Sequence, residues 1–266
     1  MTLRAVSALV LCSALLAACS DDAPPQHTES AHHHAPTAQA HHIQYRVAVE
    51  IDLPFTVQGP NGTISGFDYE LLKAIGAKQG FDVRFELYSR TGMFDALAQK
   101  KADITASGIY LNDERKSRFD ATRPYMESGT ALLVLPNTQI NGLNGMIGKN
   151  ISVKSQTVAE GLASHTLGKD RFKSHPTLWM AYKDLIAQRA DAVLGDYVSL
   201  NHYVKQYPDK KLVLLDNLNL PREQYVFLVQ KGNKALLDKL NRGIAEAKED
   251  GTYQRLYHKW FETAAH

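Results

Sequence analysis

Two stretches end in charged side chains at the points where an open α/β sheet places its ligands, just beyond the carboxyl ends of strands. Arg115 closes the run Ser107-Gly108-Ile109-Tyr110-Leu111-Asn112-Asp113-Glu114-Arg115, and Asp196 follows the apolar run Ala192 to Leu194. A guanidinium is a planar fork of donors that fits a carboxylate bidentately, which an ammonium does not reproduce, so Arg115 is a candidate anchor for a ligand carboxylate. Gly108 permits close backbone approach, and Asn112 offers a further side-chain contact. The alternative for Arg115 is a surface ion pair with Asp113, Glu114 or Asp120. Asp196 also suits the N-cap of a helix over Tyr197 to Tyr203, a role that does not exclude a ligand. Nothing beside them suggests covalent chemistry: the chain has no nucleophile elbow, phosphate loop or paired metal motif. Binding is the leading class, and no cofactor is expected.

The elements that must hold these residues follow from periodicity. Tyr45 to Ile51 reads as a strand, Phe67, Leu71, Leu72 and Ile75 recur at helical spacing, and Val83 to Leu87 reads as the next strand. Met93 to Lys101 is predicted as a helix leading into strand Asp103 to Ser107. A second unit repeats the rhythm, with strand Ile151 to Lys154, helices Val158 to His165 and Leu178 to Arg189, and strand Asp191 to Leu194. Leu97-Ala98-Gln99-Lys100-Lys101-Ala102-Asp103 and Leu185-Ile186-Ala187-Gln188-Arg189-Ala190-Asp191 look like two copies of one helix-to-strand junction. Strand Tyr225 to Gln230 precedes a helix whose Leu237, Leu240 and Ile244 share a face. The terminal Tyr253, Leu256, Tyr257, Trp260 and Phe261 recur at helical spacing and are assigned to packing. The alternation of strands and helices predicts an α/β fold.

The first residues carry an address. Arg4 precedes an apolar run from Ala5 to Ala18, too short for a membrane span and suited to a signal-peptide core. It ends Leu16-Ala17-Ala18-Cys19, which resembles a bacterial lipobox; residues 1–18 are expected to be removed and Cys19 to be lipidated. Of the 2 cysteines, Cys12 leaves with that segment, so no intramolecular disulfide is expected. Residues 19–43 read as a flexible tether poor in large apolar side chains. Six of the 11 histidines lie in it, His27, His32, His33, His34, His41 and His42, so it is either a solvated spacer or a weak divalent-metal site. The remainder, with 44% hydrophobic residues in a 266-residue chain, can bury a core. A formal charge of +2 with interspersed signs gives no basic surface for nucleic acid.

The segment from Ser107 through Arg115 to Arg123-Pro124-Tyr125 resembles the polar-amino-acid solute-binding proteins of ABC importers, bacterial solute-binding protein family 3. Ile64-Ser65-Gly66-Phe67-Asp68-Tyr69-Glu70, Ala190-Asp191-Ala192-Val193-Leu194-Gly195-Asp196 and Lys248-Glu249-Asp250-Gly251-Thr252-Tyr253 are similar to the family as well, and the likeness runs from about Gln44 to Phe261. The resemblance implies a two-lobed periplasmic-binding-protein fold of type II with the ligand cleft between the lobes. Lobe 1 would be residues 44–133 plus 223–266, lobe 2 residues 138–217, and the hinges would lie near 134–137 and 218–222. It implies a receptor that presents an amino acid to a membrane permease; with the lipobox-like leader, the expectation is a monomer lipid-anchored at the cell envelope, periplasmic in a Gram-negative cell.

Within the family pattern a glycine, a serine or threonine and an arginine grip the ligand carboxylate, here Gly108, Ser107 and Arg115; Asn112 offers a further contact, Tyr110 a ring against the ligand side chain, Asp196 takes the ammonium, and Thr157 at a helix N-terminus adds a carboxylate contact. Ser155 and Gln156 either line the cleft or form the turn. Asp52 and Arg90 stand where many relatives carry aromatic rings. Inside the cleft they favour a polar or charged side chain, whether acidic, amide-bearing or a second zwitterion such as that of cystine; facing solvent or paired together, they leave specificity open. Two further readings stay open: a periplasmic dehydratase on the same scaffold with Glu50 or Asp52 as general acid, and a metal receptor using the histidine tether.

Overall fold

The computed structural model describes residues 43–262, so the expectations for the leader, Cys19 and the histidine-rich stretch fall outside the described residues. Strand β1 (Ile43–Val49) buries Val47, Ala48 and Val49 completely. The hairpin β2 (Val57–Gln58) and β3 (Ile64–Ser65) leads into α1 (Phe67–Gln79), whose buried Phe67, Leu71, Leu72 and Ile75 form the stripe set by their helical spacing. β4 (Phe81–Leu87) is followed by α2 (Arg90–Ala98), β5 (Ile104–Thr105) and the short α3 (Asp113–Arg118) that carries Arg115. Next come β6 (Phe119–Ala121), β7 (Met126–Ser128) and β8 (Thr130–Val134). The second unit contains β9 (Ile151–Lys154), α4 (Val158–Leu167), β10 (Lys173–His175), α5 (Leu178–Ile186), β11 (Ala192–Asp196), α6 (Tyr197–Gln206) and β12 (Val213–Leu215). β13 (Glu223–Tyr225), β14 (Leu228–Gln230), α7 (Lys234–Glu249) and α8 (Thr252–Tyr257) follow, and a π-helical turn over His258–Glu262 ends the described residues.

Two five-stranded sheets result, in the orders β4-β1-β5-β14-β6 and β10-β9-β11-β8-β12. Their plans match: β1 runs parallel to β4 and β5, as β9 does to β10 and β11, and each sheet is completed by antiparallel strands, β14 and β8. The twin junctions seen in the sequence are twin structures. Lys100 and Gln188 leave their helices in the left-handed region at φ 59° and 55°. Asp103 then accepts from Arg46 N at 2.9 Å, and Asp191 from Asn150 N at 2.7 Å, so each carboxylate ties a helix exit to the neighbouring parallel strand, within β1 just before its pairing with β5 and at the residue before β9.

The change of sheet differs from the expected boundaries. All of β8 is hydrogen-bonded between β11 and β12, so residues 130–134 belong to the second sheet. The chain crosses instead through β7 and β13, which pair with each other, Glu223 opposite Ser128 and Tyr225 opposite Met126. This also breaks the expected strand Tyr225 to Gln230, because Tyr225 pairs in the crossing ribbon and Leu228 in the first sheet. α2 begins earlier than Met93 because the Ser89 hydroxyl caps it, accepting from Gly92 N at 3.2 Å, and this places Arg90 at its buried first turn. α5 stops at Ile186, where the Arg189 amide bonds to Asp184 O.

The first core packs α1 against α7, with Leu71, Leu72 and Ile75 meeting Leu236, Leu240 and Ile244. Each such buried aliphatic side chain contributes roughly 1.5–3 kcal/mol. The terminal aromatics join this core as assigned: Phe261 lies 4.9 Å from Phe67 and 5.7 Å from Phe55, and Tyr253 meets Phe67 edge-on.

Candidate functional site

The loop after β5 is shaped by one buried acid. Ser107 and Gly108 adopt φ of 99° and 57°, and their amides donate to Asp68 Oδ2 at 2.9 and 2.8 Å. Burial pushes the Asp68 carboxyl up to about 6, against the opposing pull of those amides. A Cβ at residue 108 would lie 2.6 Å from the Phe55 ring, so the position admits only glycine without rearrangement. The Ser107 hydroxyl is committed elsewhere: it donates to Glu50 O at 3.0 Å, accepts from Glu50 N at 3.2 Å, and lies 2.8 Å from Thr56 Oγ1. It buttresses the end of β1 and does not line the cavity.

Five residues on, α3 presents Arg115. Asn112 caps that helix by accepting from Arg115 N at 2.9 Å, so its side chain serves the helix. The Arg115 guanidinium is buried; it donates to Tyr110 O and, at 3.3 Å, to Gln156 O, and lies 4.9 Å from the Phe94 ring centroid. The acids offered as surface partners are engaged elsewhere, Asp113 with Lys116, Glu114 with Arg118 and Asp120 with Lys231. Among the described residues no carboxylate pairs with Arg115. Its proton affinity falls to about 10, through burial first and then the nearby Arg90 charge. A buried guanidinium satisfied only by carbonyls is a site prepared for an anion.

Asp196 ends β11 in the second sheet. Its Oδ1 caps α6, accepting from Ser199 N at 2.8 Å, while Oδ2 accepts from the Tyr110 hydroxyl of the first lobe. Burial, then Asp196, pushes the Tyr110 phenol well above its ordinary range. Thr157 caps α4 and donates to Lys154 O at 2.7 Å. Gln156, at φ 57°, forms the turn before that helix and reaches across to Thr91 Oγ1 at 2.5 Å. Ser155 lines an open groove beside Arg90 and Pro176, away from the enclosed cavity.

Between the two sheets lies an enclosed cavity of about 40 Å³, lined by Gly108, Tyr110, Arg115, Thr157 and Asp196, and also by Asp52, Arg90, Lys154, Thr130 and Tyr225. A wider cleft of about 650 Å³ opens at its mouth, past Asn112, Arg115, Gln156 and Thr157. Arg115 and Asp196 therefore face one space from opposite sheets. Asp52 and Arg90 do both things foreseen for them: they line the cavity, and they pair at 3.7 Å.

Two more residues join the site: Lys154, which was not among the sequence candidates, and Glu50, foreseen only as the acid of a dehydratase. Glu50 accepts from Arg90 and, at 2.7 Å, from Lys154 Nζ, which also binds Asp52 at 2.8 Å. All four side chains are at most 11% exposed. Burial opposes the Glu50 charge, but Arg90 and Lys154 outweigh it and hold that carboxyl below its ordinary value; burial and the Glu50 charge lift Asp52 above its own. Lys154 is the last residue of β9, at the carboxyl end of a strand, so the placement rule that selects Arg115 and Asp196 also selects it. Among the described residues no group of three or more His, Cys, Asp or Glu is placed to hold a metal ion, and no helix is long and apolar enough to cross a membrane.

Comparison with known proteins identifies the family and the fold. Residues 45–263 match the family model of bacterial extracellular solute-binding proteins, family 3. The L-cystine-binding protein TcyJ of Escherichia coli (strain K12) is 31% identical over 213 residues, 78% of each chain. The arginine-, lysine-, histidine-binding protein ArtJ from Geobacillus stearothermophilus superposes with a TM-score of 0.78 at 30% identity, over 84% of this chain and 96% of that one. An ancestral amino acid-binding protein, AncCDT-1, a precursor of cyclohexadienyl dehydratase, gives a TM-score of 0.75 at 30% identity over 82% and 95% of the two chains. The fold is the two-lobed, type II periplasmic-binding-protein fold.

Proposed function

Because the chain belongs to family 3 of the bacterial extracellular solute-binding proteins, we propose that it is the receptor of an ABC amino-acid importer, held at the cell envelope by a lipid on Cys19. It captures one polar α-amino acid between its lobes and, as a monomer, hands it to a membrane permease. The observation that carries this reading is Arg115, a buried guanidinium without a carboxylate partner, sharing a cavity with Asp196 of the opposite lobe. The ligand carboxylate takes the Arg115 fork, with Gly108 and Thr157 beside it, and its ammonium takes Asp196.

Binding proceeds by opening and closure. A cavity of about 40 Å³ has room for a few waters and is too small for an amino acid, which enters when the lobes part. The paired crossing strands β7 and β13 are the hinge. Contacts from both lobes to one ligand give the closed form its differential affinity, which drives closure. The pairing of Glu50 with two cations weighs against its serving as the acid of a dehydratase, since a general acid must carry a proton near working pH.

A thermal-shift screen tests the proposal, using protein unfolded and refolded to strip bound solute. One or a few polar amino acids should raise the melting temperature, and the rise should vanish in Arg115→Met. A screen in which no amino acid shifts the transition sinks the reading.

A further inference from the structure

We infer that Lys154, together with Glu50, Asp52 and Arg90, selects amino acids whose distal end is dipolar, a second amino-acid head or a primary amide, and rejects those whose distal end bears a single net charge. The inference rests on the amino-acid reading above. With Arg115 and Asp196 assigned to the α-carboxylate and α-ammonium, the other charged groups lining the cavity are Asp52, Arg90 and Lys154, with Glu50 bonded to both cations.

The four charges alternate in sign. Arg90 binds Glu50, Glu50 binds Lys154 at 2.7 Å, Lys154 binds Asp52 at 2.8 Å, and Asp52 returns to Arg90 at 3.7 Å. Two carboxylates and two cations sum to zero. A distal guanidinium or ammonium placed among them meets two cations, and even on the carboxylate oxygens outside the ring's bonds, Glu50 Oε2 and Asp52 Oδ1, it adds a unit of charge that the neutral ring does not balance; a distal carboxylate meets the converse problem. Either leaves a buried charge without compensation, a situation folded proteins avoid strongly. A group carrying both a donor and an acceptor exchanges into the ring without changing its charge. Its oxygen accepts from Lys154 or Arg90, whose buried Nε has no partner, and its N–H donates to Glu50 or Asp52. Lys154 is the deciding member because it alone comes from the second lobe, so it meets the distal group only on closure. Removing its charge leaves the ring one unit negative and open to a cation.

Isothermal titration of the stripped full-length protein with cystine, glutamine, arginine and glutamate tests this. Wild type should bind cystine or glutamine at least about tenfold more tightly than arginine or glutamate, and which of the two binds identifies the dipolar group. Lys154→Met should shift the ranking about tenfold toward arginine, and Asp52→Asn should shift it toward glutamate. Wild-type preference for arginine or glutamate overturns the inference while leaving the amino-acid reading intact, and so does a folded Lys154→Met protein with the wild-type ranking. Should that variant fail to fold, the wild-type ranking decides alone. Absence of heat with every amino acid overturns both.

Discussion

At the scale of the residue, the site separates charge from geometry. Arg115→Lys keeps a cation in the cavity but replaces a two-pronged donor with a point charge, and affinity should fall about tenfold or more while the unliganded melting temperature changes little. Equal affinity in titrations of the two proteins would show that the fork is not what holds the carboxylate. Asp68 offers a second test, through pH. Its folded-state value of about 6 lies above the ordinary carboxylate value of 3.8, so the folded state binds this proton more tightly than the unfolded chain. The stabilisation is complete below the ordinary value and is lost as pH rises through about 6. Asp68→Asn keeps an oxygen for the Ser107 and Gly108 amides and carries no titrating group. Relative to wild type it should therefore gain urea resistance between pH 4.5 and pH 7.5, a difference that cancels the acids common to both proteins. An unchanged gap between the two proteins across that range would remove Asp68 from the account.

At the scale of the element, the twin junctions do equivalent work in separate sheets. Asp103→Ala and Asp191→Ala each remove a carboxylate that accepts a backbone amide at the neighbouring strand; Asp191→Ala should cost about 1 kcal/mol and Asp103→Ala at least about that, because Asp103 also accepts from the Arg46 guanidinium at 3.0 and 3.1 Å. They share no partner, so the double variant should lose the sum within about 0.5 kcal/mol in urea titration. Coupling well beyond that would mean the two junctions communicate. These elements were legible in the sequence because buried parallel strands and amphipathic helices impose their periods on it, as β1, α1 and β9 show. Sheet membership was not: the apolar run of β8 looks the same whichever sheet it joins, and only its pairing with β11 and β12 places it. The same limit hid the charge ring. Glu50 and Lys154 each stand near a strand end, where a candidate can be picked singly, but their pairing is a contact between residues 104 positions apart. Charged residues at strand ends read as solvated until the opposing lobe is in place.

At the scale of the whole molecule, the contacts that hold the lobes together fall into two kinds with opposite consequences for binding. Tyr110 donates to Asp196 Oδ2, the oxygen that the α6 cap on Oδ1 leaves for a ligand ammonium, so this cross-lobe bond is expected to compete with ligand. Gln156 reaches Thr91 at the mouth, and neither residue lines the inner cavity, so ligand entering that cavity is expected to leave the bond in place. A contact made only without ligand reduces apparent affinity, while one made in every closed form favours closure around ligand as well. Tyr110→Phe keeps the ring, which packs 4.5 Å from Tyr225, and frees the carboxylate; it should tighten binding roughly threefold, the equivalent of one weak hydrogen bond. Gln156→Ala should weaken binding by a similar factor of about three. Both variants delete a bond between the lobes, so small-angle scattering should find both more open than wild type in the absence of ligand. Titration with the amino acid found in the thermal screen should then separate them, one above wild type and one below. Equal weakening in both would mean that the Tyr110 hydroxyl serves the ligand and does not compete with it.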